Sequence, residues 1–150
     1  MEIEKNIAKV NGMNLPISRK KSVEVCNLLR NKTTKTAKII LKRVIKLEQA
    51  VPYRRYNQDT AHRVGIGPGK YPVKTSQEFL RLIESAEANA QYKGLSSNLM
   101  IDHISAHKAP LQLHYGRKRR QKQKNTHIKL IVKEVKEEKN DRKKDTKQKN

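Results

Sequence analysis

Ile3, Ile7, Val10, Met13 and Leu15 stand among polar neighbours with Asn11-Gly12 as a turn or bulge signal, and this loosely extended pattern predicts a short strand over residues 3 to 15. Pro16-Ile17-Ser18 reads as a helix entry. Ser18 is placed to cap free backbone N–H groups ahead of Val25, Cys26, Leu28 and Leu29, which predicts a first helix from Arg19 to Arg30. Asn31 follows, a residue that tolerates the left-handed backbone at helix ends. Thr33 or Thr34 caps a second helix. In it Ala37, Ile40, Leu41, Val44 and Leu47 recur at three- and four-residue spacing, while Lys35, Lys38, Lys42, Arg43 and Lys46 take the other faces. Residues 50 to 72 lose this period. Pro52, Gly65, Gly67, Pro68, Gly69 and Pro72 mark them as a long loop, of the kind that is functional or disordered. A third helix starts at Pro72, with Phe79, Leu82, Ile83, Ala86 and Ala90 on one stripe and Gly94 at the stop position. Leu99-Met100-Ile101 opens an extended segment, and Ile128, Leu130 and Val132 alternate with Lys129, Ile131 and Lys133 in another. The two read as arms of a hairpin. From Lys136 to Asn150 only charged and polar residues remain, so a disordered tail is expected.

Composition narrows what this arrangement serves. The 150 residues are 35% hydrophobic, enough for one small core, so residues 1 to 135 are expected to form a single domain with 136 to 150 as its tail. The formal charge is +21, an excess that calls for a polyanion. It is unevenly spread: between Asp102 and Glu134 there is no acidic residue but nine basic ones. No apolar run approaches the roughly 18–20 residues that span a bilayer, and Met1-Glu2-Ile3-Glu4 lacks a signal-peptide pattern, so a soluble cytosolic protein is expected. The single Cys26 excludes an internal disulfide framework and a multi-thiolate zinc site. With no Trp and 4% aromatics, stacking on bases would depend mostly on tyrosines.

Gly65-Ile66-Gly67-Pro68-Gly69-Lys70 invites a phosphate-loop reading, but the required spacing fails. Val64 and Tyr71 stand where Gly and Ser or Thr are needed. A Gly-rich loop lying on a nucleic-acid backbone is the alternative, flanked by Arg54, Arg55, Tyr56, His62, Arg63, Lys70 and Tyr71. His103 and His107 have helix-like metal spacing but fall on an expected strand, where residues four apart stand about 13 Å from one another, too far for one zinc. Cys26 reads as a small core residue. Paired acids for hydrolysis have little support, and no catalytic constellation emerges. A competing reading makes helices one and two a DNA-binding helix-turn-helix, with Thr33, Thr34, Lys35 and Thr36 at the start of the recognition helix. An RNA-modifying enzyme would need a cofactor loop or an acid/base pair that the chain does not offer. The internal, acid-free run from residue 108 to 125 favours RNA, since Arg117, Arg119 and Arg120 offer forks that fit phosphate and stack on bases.

Ordered motifs across roughly residues 5 to 135 carry a family likeness. They are Ile17-Ser18-Arg19-Lys20-Lys21, Leu29-Arg30-Asn31-Lys32, Ala86-Glu87-Ala88-Asn89-Ala90, Lys93-Gly94-Leu95 and Thr126-His127-Ile128. Between them Val51-Pro52-Tyr53-Arg54-Arg55-Tyr56-Asn57, His62-Arg63 and Gly69-Lys70-Tyr71-Pro72 look like an insertion of archaeal and eukaryotic members. The chain resembles the universal large-subunit ribosomal protein number twenty-two family in its archaeal and eukaryotic form. Two departures are the reduction of a Pro-Arg-Ala-x-Gly-Arg signature to Tyr115-Gly116-Arg117 and a shorter span from Leu99 to His127. The resemblance implies an α+β fold: three helices packed on a small three-stranded antiparallel sheet, with a long protruding basic β-hairpin at about residues 99 to 134. It implies a structural, non-enzymatic component of the large ribosomal subunit in the cytoplasm, its hairpin contributing to the wall of the nascent-peptide exit tunnel. Implied partners are large-subunit rRNA, neighbouring large-subunit proteins and the nascent peptide near the hairpin tip, with no cofactor, metal, membrane or small-molecule substrate. Charge and resemblance together give the candidate RNA-binding residues Arg19, Lys20, Lys21, Arg54, Arg55, Tyr56, His62, Arg63, Lys70 and Tyr71, with Lys108, His114, Tyr115, Arg117, Lys118, Arg119, Arg120, Lys122 and Lys124 on the hairpin.

Overall fold

The structure, a computed structural model, describes residues 6–135, so Ile3 and the polar tail lie outside the described residues. The chain runs β1 (Ile7–Leu15), α1 (Arg19–Leu29), α2 (Thr34–Ile45), β2 (Val51–Pro52), β3 (His62–Arg63), β4 (Gly67–Lys70), α3 (Val73–Tyr92), β5 (Leu99–Lys108) and β6 (Thr126–Glu134). β1, β6 and β5 form an antiparallel sheet in that order, with β5 and β6 as the expected hairpin. The fold class is the expected α+β.

Alternation sets the inner face of this sheet. Ile128, Leu130 and Val132 of β6 are buried at every second position, as are Leu99 and Ile101 of β5. Ile104 sits three residues after Ile101, an odd spacing that would turn it outward, but the register slips between Ile101 and His103 and returns it to the core. Against this face lie Phe79, Ile83, Ala86 and Ala90 of α3, Ala37, Leu41 and Val44 of α2, and Val25, Cys26 and Leu29 of α1. α3 packs on β1 and β6 while α1 packs on β5. A Lys38–Glu87 ion pair ties α2 to α3. Leu82 reaches the backbone of Gly12, where an added Cβ would stand 3.1 Å from its methyl carbons.

The helix ends follow backbone chemistry more closely than side-chain identity. Ser18 occupies the cap position of α1, yet its hydroxyl caps nothing; its carbonyl accepts from Ser22 N–H and Oγ instead. Thr33 does cap α2, its Oγ1 accepting from Thr36 N–H at 3.2 Å. α3 closes as expected: Gly94 has φ +73°, Leu95 N–H donates to Ala90 and Gly94 N–H to Gln91. α2 closes by the same double bond, Glu48 N–H to Arg43 and Leu47 N–H to Val44, so Leu47 takes the left-handed position at φ +64° and leaves the stripe, 57% exposed. A helix that stops at Ile45 cannot carry residue 47 inward.

Residues 50 to 72 correct the expectation of a structureless loop. β4 pairs with β2 on one side and β3 on the other. Strands of two to four residues containing Pro52 and Pro68 are too short to show an apolar period, which is why the sequence reads as loop. Glu24 fastens this small sheet to α1. Its side chain is 1% exposed, with Oε1 accepting from Arg55 and Tyr56 N–H, each at 3.0 Å, and Oε2 from Arg54 N–H at 3.2 Å. The strand end is thus curled around a carboxylate.

Three outcomes test this account. Ile83→Asp places an unpaired carboxylate at a fully buried point and is expected to cost on the order of 4 kcal/mol, seen as a lowered urea midpoint; an unchanged midpoint refutes the packing of α3. Leu47→Gly relieves left-handed strain at an exposed site and is expected to raise stability by about 1 kcal/mol. In Glu24→Gln one carbonyl oxygen retains two donors while the amide NH2 confronts the third. Hydrogen exchange should therefore accelerate at Arg54 and stay slow at Arg55 and Tyr56, whereas Glu24→Ala should expose all three. Equal protection in all three proteins would show that the carboxylate holds nothing.

Candidate nucleic-acid interface

The sequence-selected residues fall into two groups. The first surrounds the small sheet. Arg19, Lys20 and Lys21 are exposed at the start of α1, one turn before Glu24, and Arg54, Arg55, His62, Arg63 and Lys70 are exposed on the segment that Glu24 anchors. Tyrosine rings space these cations. Lys20 Nζ and the Arg55 guanidinium stand 5.6 Å and 5.8 Å from the Tyr56 ring centre, Arg63 stands 5.3 Å from Tyr71, and Lys70 stands 5.8 Å from Tyr53. Tyr56 and Tyr71 are half-buried. Tyr53 is buried; burial, reinforced by the Glu24 charge, pushes its phenol from 10.0 up to about 12, so it remains neutral and acts as packing beneath the sheet. The glycine run is the turn and strand of the β3–β4 hairpin. Gly69 N–H, which a phosphate cradle would need, donates to the Ala61 carbonyl at 3.1 Å.

The second group lies on the arm beyond the regular hairpin ladder. Past Lys108 and Thr126 the two sides stay together through few bonds. Ala109 N–H donates to Asn125, Gln123 N–H to Gln112 and His114 N–H to Gln121, ending in a 3-10 turn at Gly116–Lys118. Arg117, Lys118, Arg119, Arg120, Lys122 and Lys124 are all exposed there, and so are Leu111, Leu113 and Tyr115, the last at 92%. His114 is half-buried, with its Nδ1 3.5 Å from Gln123 Nε2. The root of the arm meets the body at a cleft that adds Lys74 of α3 and Pro16 to His114, Lys122 and Lys124. Lys74 escapes a charge-run reading because it stands alone in the first turn of a helix.

Other candidates are absorbed by structure. His103 and His107 lie on β5 as expected, and both Nε2 atoms hydrogen-bond Ser105 Oγ, at 3.2 Å and 3.0 Å. Cys26 is buried, and burial pushes its thiol from 9.0 up to about 12, which suppresses the thiolate a nucleophile requires. The start of α2 is pinned rather than presented to a groove. Thr33 is engaged as the cap, Thr34 is buried, Lys35 Nζ reaches Asn98 Oδ1, and Asn31 and Lys32 exchange backbone hydrogen bonds with Ile101. Among the described residues, no helix is long and apolar enough to cross a membrane. Sequence reasoning passes over Glu24, because an acid is the wrong charge for the chemistry; its signal is an acid at a buried position of α1's apolar face. Asn27 has no such signal, and Arg30 and Lys32 stand in the sequence only as part of the motif Leu29-Arg30-Asn31-Lys32; with Arg54 the three rim a cleft between α1 and β2.

Comparison with known proteins agrees with this architecture. The family described as ribosomal protein L22p/L17e matches residues 10–133. The large ribosomal subunit protein uL22 of Methanoculleus marisnigri is 37% identical over 139 residues, covering 87% of this chain and 91% of that protein. Those of Ignicoccus hospitalis and Thermoplasma acidophilum are 39% and 46% identical, covering 85% and 72% of this chain and 88% and 72% of their own lengths. With all three helices, β5 and β6 up to Lys133 inside the matched span, the chain belongs to the L22p/L17e family of ribosomal proteins.

Proposed function

We propose that this chain is a structural, non-enzymatic component of the large ribosomal subunit in the cytoplasm, and that it binds and organises large-subunit rRNA through the small basic sheet and the hairpin arm. The relatives' shared name, large ribosomal subunit protein, supports the first half. The arm carries the second. It projects six cations and three large apolar side chains, has no acidic residue of its own and is held by sparse backbone bonds, a composition that repels itself in water. Embedded in folded RNA, its arginines pair phosphates bidentately, its lysines neutralise others, and Leu111, Leu113 and Tyr115 cover base or sugar faces. At the small sheet Lys20, Arg55 and Arg63, held against the Tyr56 and Tyr71 rings, take phosphates. Within the subunit the same arm contributes to the wall of the nascent-peptide exit tunnel, its tip beside the peptide and its body beside neighbouring large-subunit proteins.

Salt dependence measures the number of phosphates neutralised. Each contributes a log–log slope of roughly −0.7 to −0.9 between single strands and duplex DNA. Replacing Arg117, Lys118, Arg119 and Arg120 together with Gln should weaken binding to a folded large-subunit rRNA fragment and flatten the slope by about three to four units, with the thermal midpoint unchanged because all four are exposed. Replacing Thr34, Lys35 and Thr36 should alter the slope by no more than about one unit, since one charge is lost. A quadruple variant that binds rRNA with an undiminished slope would overturn the arm's role.

A further inference from the structure

The cleft between α1 and β2 is not accounted for by a charged surface alone. It encloses about 520 Å³, within the roughly 300–1,000 Å³ of small-molecule sites. Leu28 and Pro52 give it an apolar wall, Arg30, Lys32 and Arg54 bring three cations to its edge, and Asn27 stands beside them. Among the described residues none of these cations forms an ion pair, and the Asn27 amide has no hydrogen-bond partner. The only acid lining the cleft among the described residues is Glu24, whose two carboxylate oxygens are already occupied by the N–H groups of Arg54, Arg55 and Tyr56. An anion entering there meets positive charge and no free carboxylate.

The rim is rigid. Arg30 N–H closes α1 on Cys26, Asn31 takes φ +59° and donates to Ile101, and Ile101 N–H returns to Lys32 at 2.9 Å. Arg54 is fixed from the other side by the Glu24 bond. These backbone bonds fix where the three exposed cationic side chains start from the rim, so the cations converge on one opening. An apolar wall, an unused amide and a crown of cations match one ligand chemistry, a nucleotide, with its base on Leu28 and Pro52, its edge against Asn27 and its phosphate on Arg30, Lys32 and Arg54.

The geometry points to a subsite for a single unpaired nucleotide of RNA, extruded from its helix and read by Asn27. This rests on the RNA-binding reading above. Attachment to an RNA strand rather than a free nucleotide follows from the cleft's position: Arg54, on its rim, continues directly into Arg55 and Tyr56, so a backbone leaving the cleft runs onto the basic face of the small sheet. The carboxamide of Asn matches the donor and acceptor of adenine, so an adenosine is the favoured occupant.

The test compares the full chain's affinity for an RNA stem-loop carrying one unpaired adenosine with that for the same stem fully paired. The native chain should prefer the bulged RNA roughly five- to tenfold. Asn27→Ala should bind both alike at the paired-stem affinity, and Arg30→Gln with Lys32→Gln should also lose the preference. The quadruple arm variant should weaken both affinities but keep their ratio. The side-chain amide resonance of Asn27 should shift on adding bulged RNA and stay in place with polyglutamate or adenosine monophosphate at the same concentration. Equal affinity of the native chain for the two RNAs, or a preference surviving in both cleft variants, would overturn the subsite while leaving RNA binding intact. A shift produced by polyglutamate instead would assign the cleft to an acidic protein segment, and one produced by the free nucleotide to a soluble ligand, each overturning it. Failure to bind either RNA would overturn the RNA-binding reading itself.

Discussion

The Glu24 carboxylate is the point on which the basic face depends. The small sheet has little core of its own, chiefly Val51 and Tyr53, and it carries Arg54, Arg55, His62, Arg63 and Lys70 on its exposed side. Such a segment favours expansion in water, through both conformational entropy and mutual repulsion. Burying a carboxylate costs several kcal/mol, which only a full set of donors offsets. Three consecutive backbone N–H groups supply that set and in return fix three residues' geometry at once. From that one anchor follow the seat of Tyr56 between Lys20 and Arg55, the position of Arg54 at the edge of the α1–β2 cleft, and the burial of Tyr53 below.

Legibility in the sequence tracks the length of each element. α3, with its twenty residues, a single stripe and Gly94 at its end, is readable because many positions repeat one period and one glycine carries the stop. β5 and β6 are readable for the same reason at period two, apart from the slip at Ile101 that only pairing reveals. The small sheet is not, since two-residue strands have no period to show. Leu47 misleads in a different way. Spacing from Val44 is right for a helix, but the backbone closes α2 first with a left-handed residue that a side-chain pattern would assign to Gly or Asn.

The candidate site divides along the same line. The arm is visible in sequence because charge density needs no structure to be counted, and the exposure of Arg117 to Arg120 agrees with it. The pairing of Lys20 with Tyr56 across 36 positions of sequence is invisible there, because it depends on an anchor of opposite sign. Asn27, Arg30 and Lys32 are likewise ordinary residues at a helix end until the return of the chain at Pro52 and Arg54 encloses them.

The disposition of acids explains why one chain can be both stable and strongly cationic. Glu87 pairs with Lys38, Glu78 with Arg81, Glu134 accepts from Ser96 N–H, and Glu24 is consumed by the small sheet. Each of these carboxylates is used where elements of the body meet or within its helices, and the sequence has no acid between Asp102 and Glu134. Arg117, Lys118, Arg119, Arg120, Lys122 and Lys124 therefore keep an uncompensated field. That field does not threaten the core, because none of these side chains is part of it. A more regular, acid-balanced hairpin would be better ordered alone but would bring less to a polyanion. Sparse pairing and uncompensated charge are thus two aspects of one arrangement, in which the packed half of the molecule carries the half whose charge it leaves unbalanced.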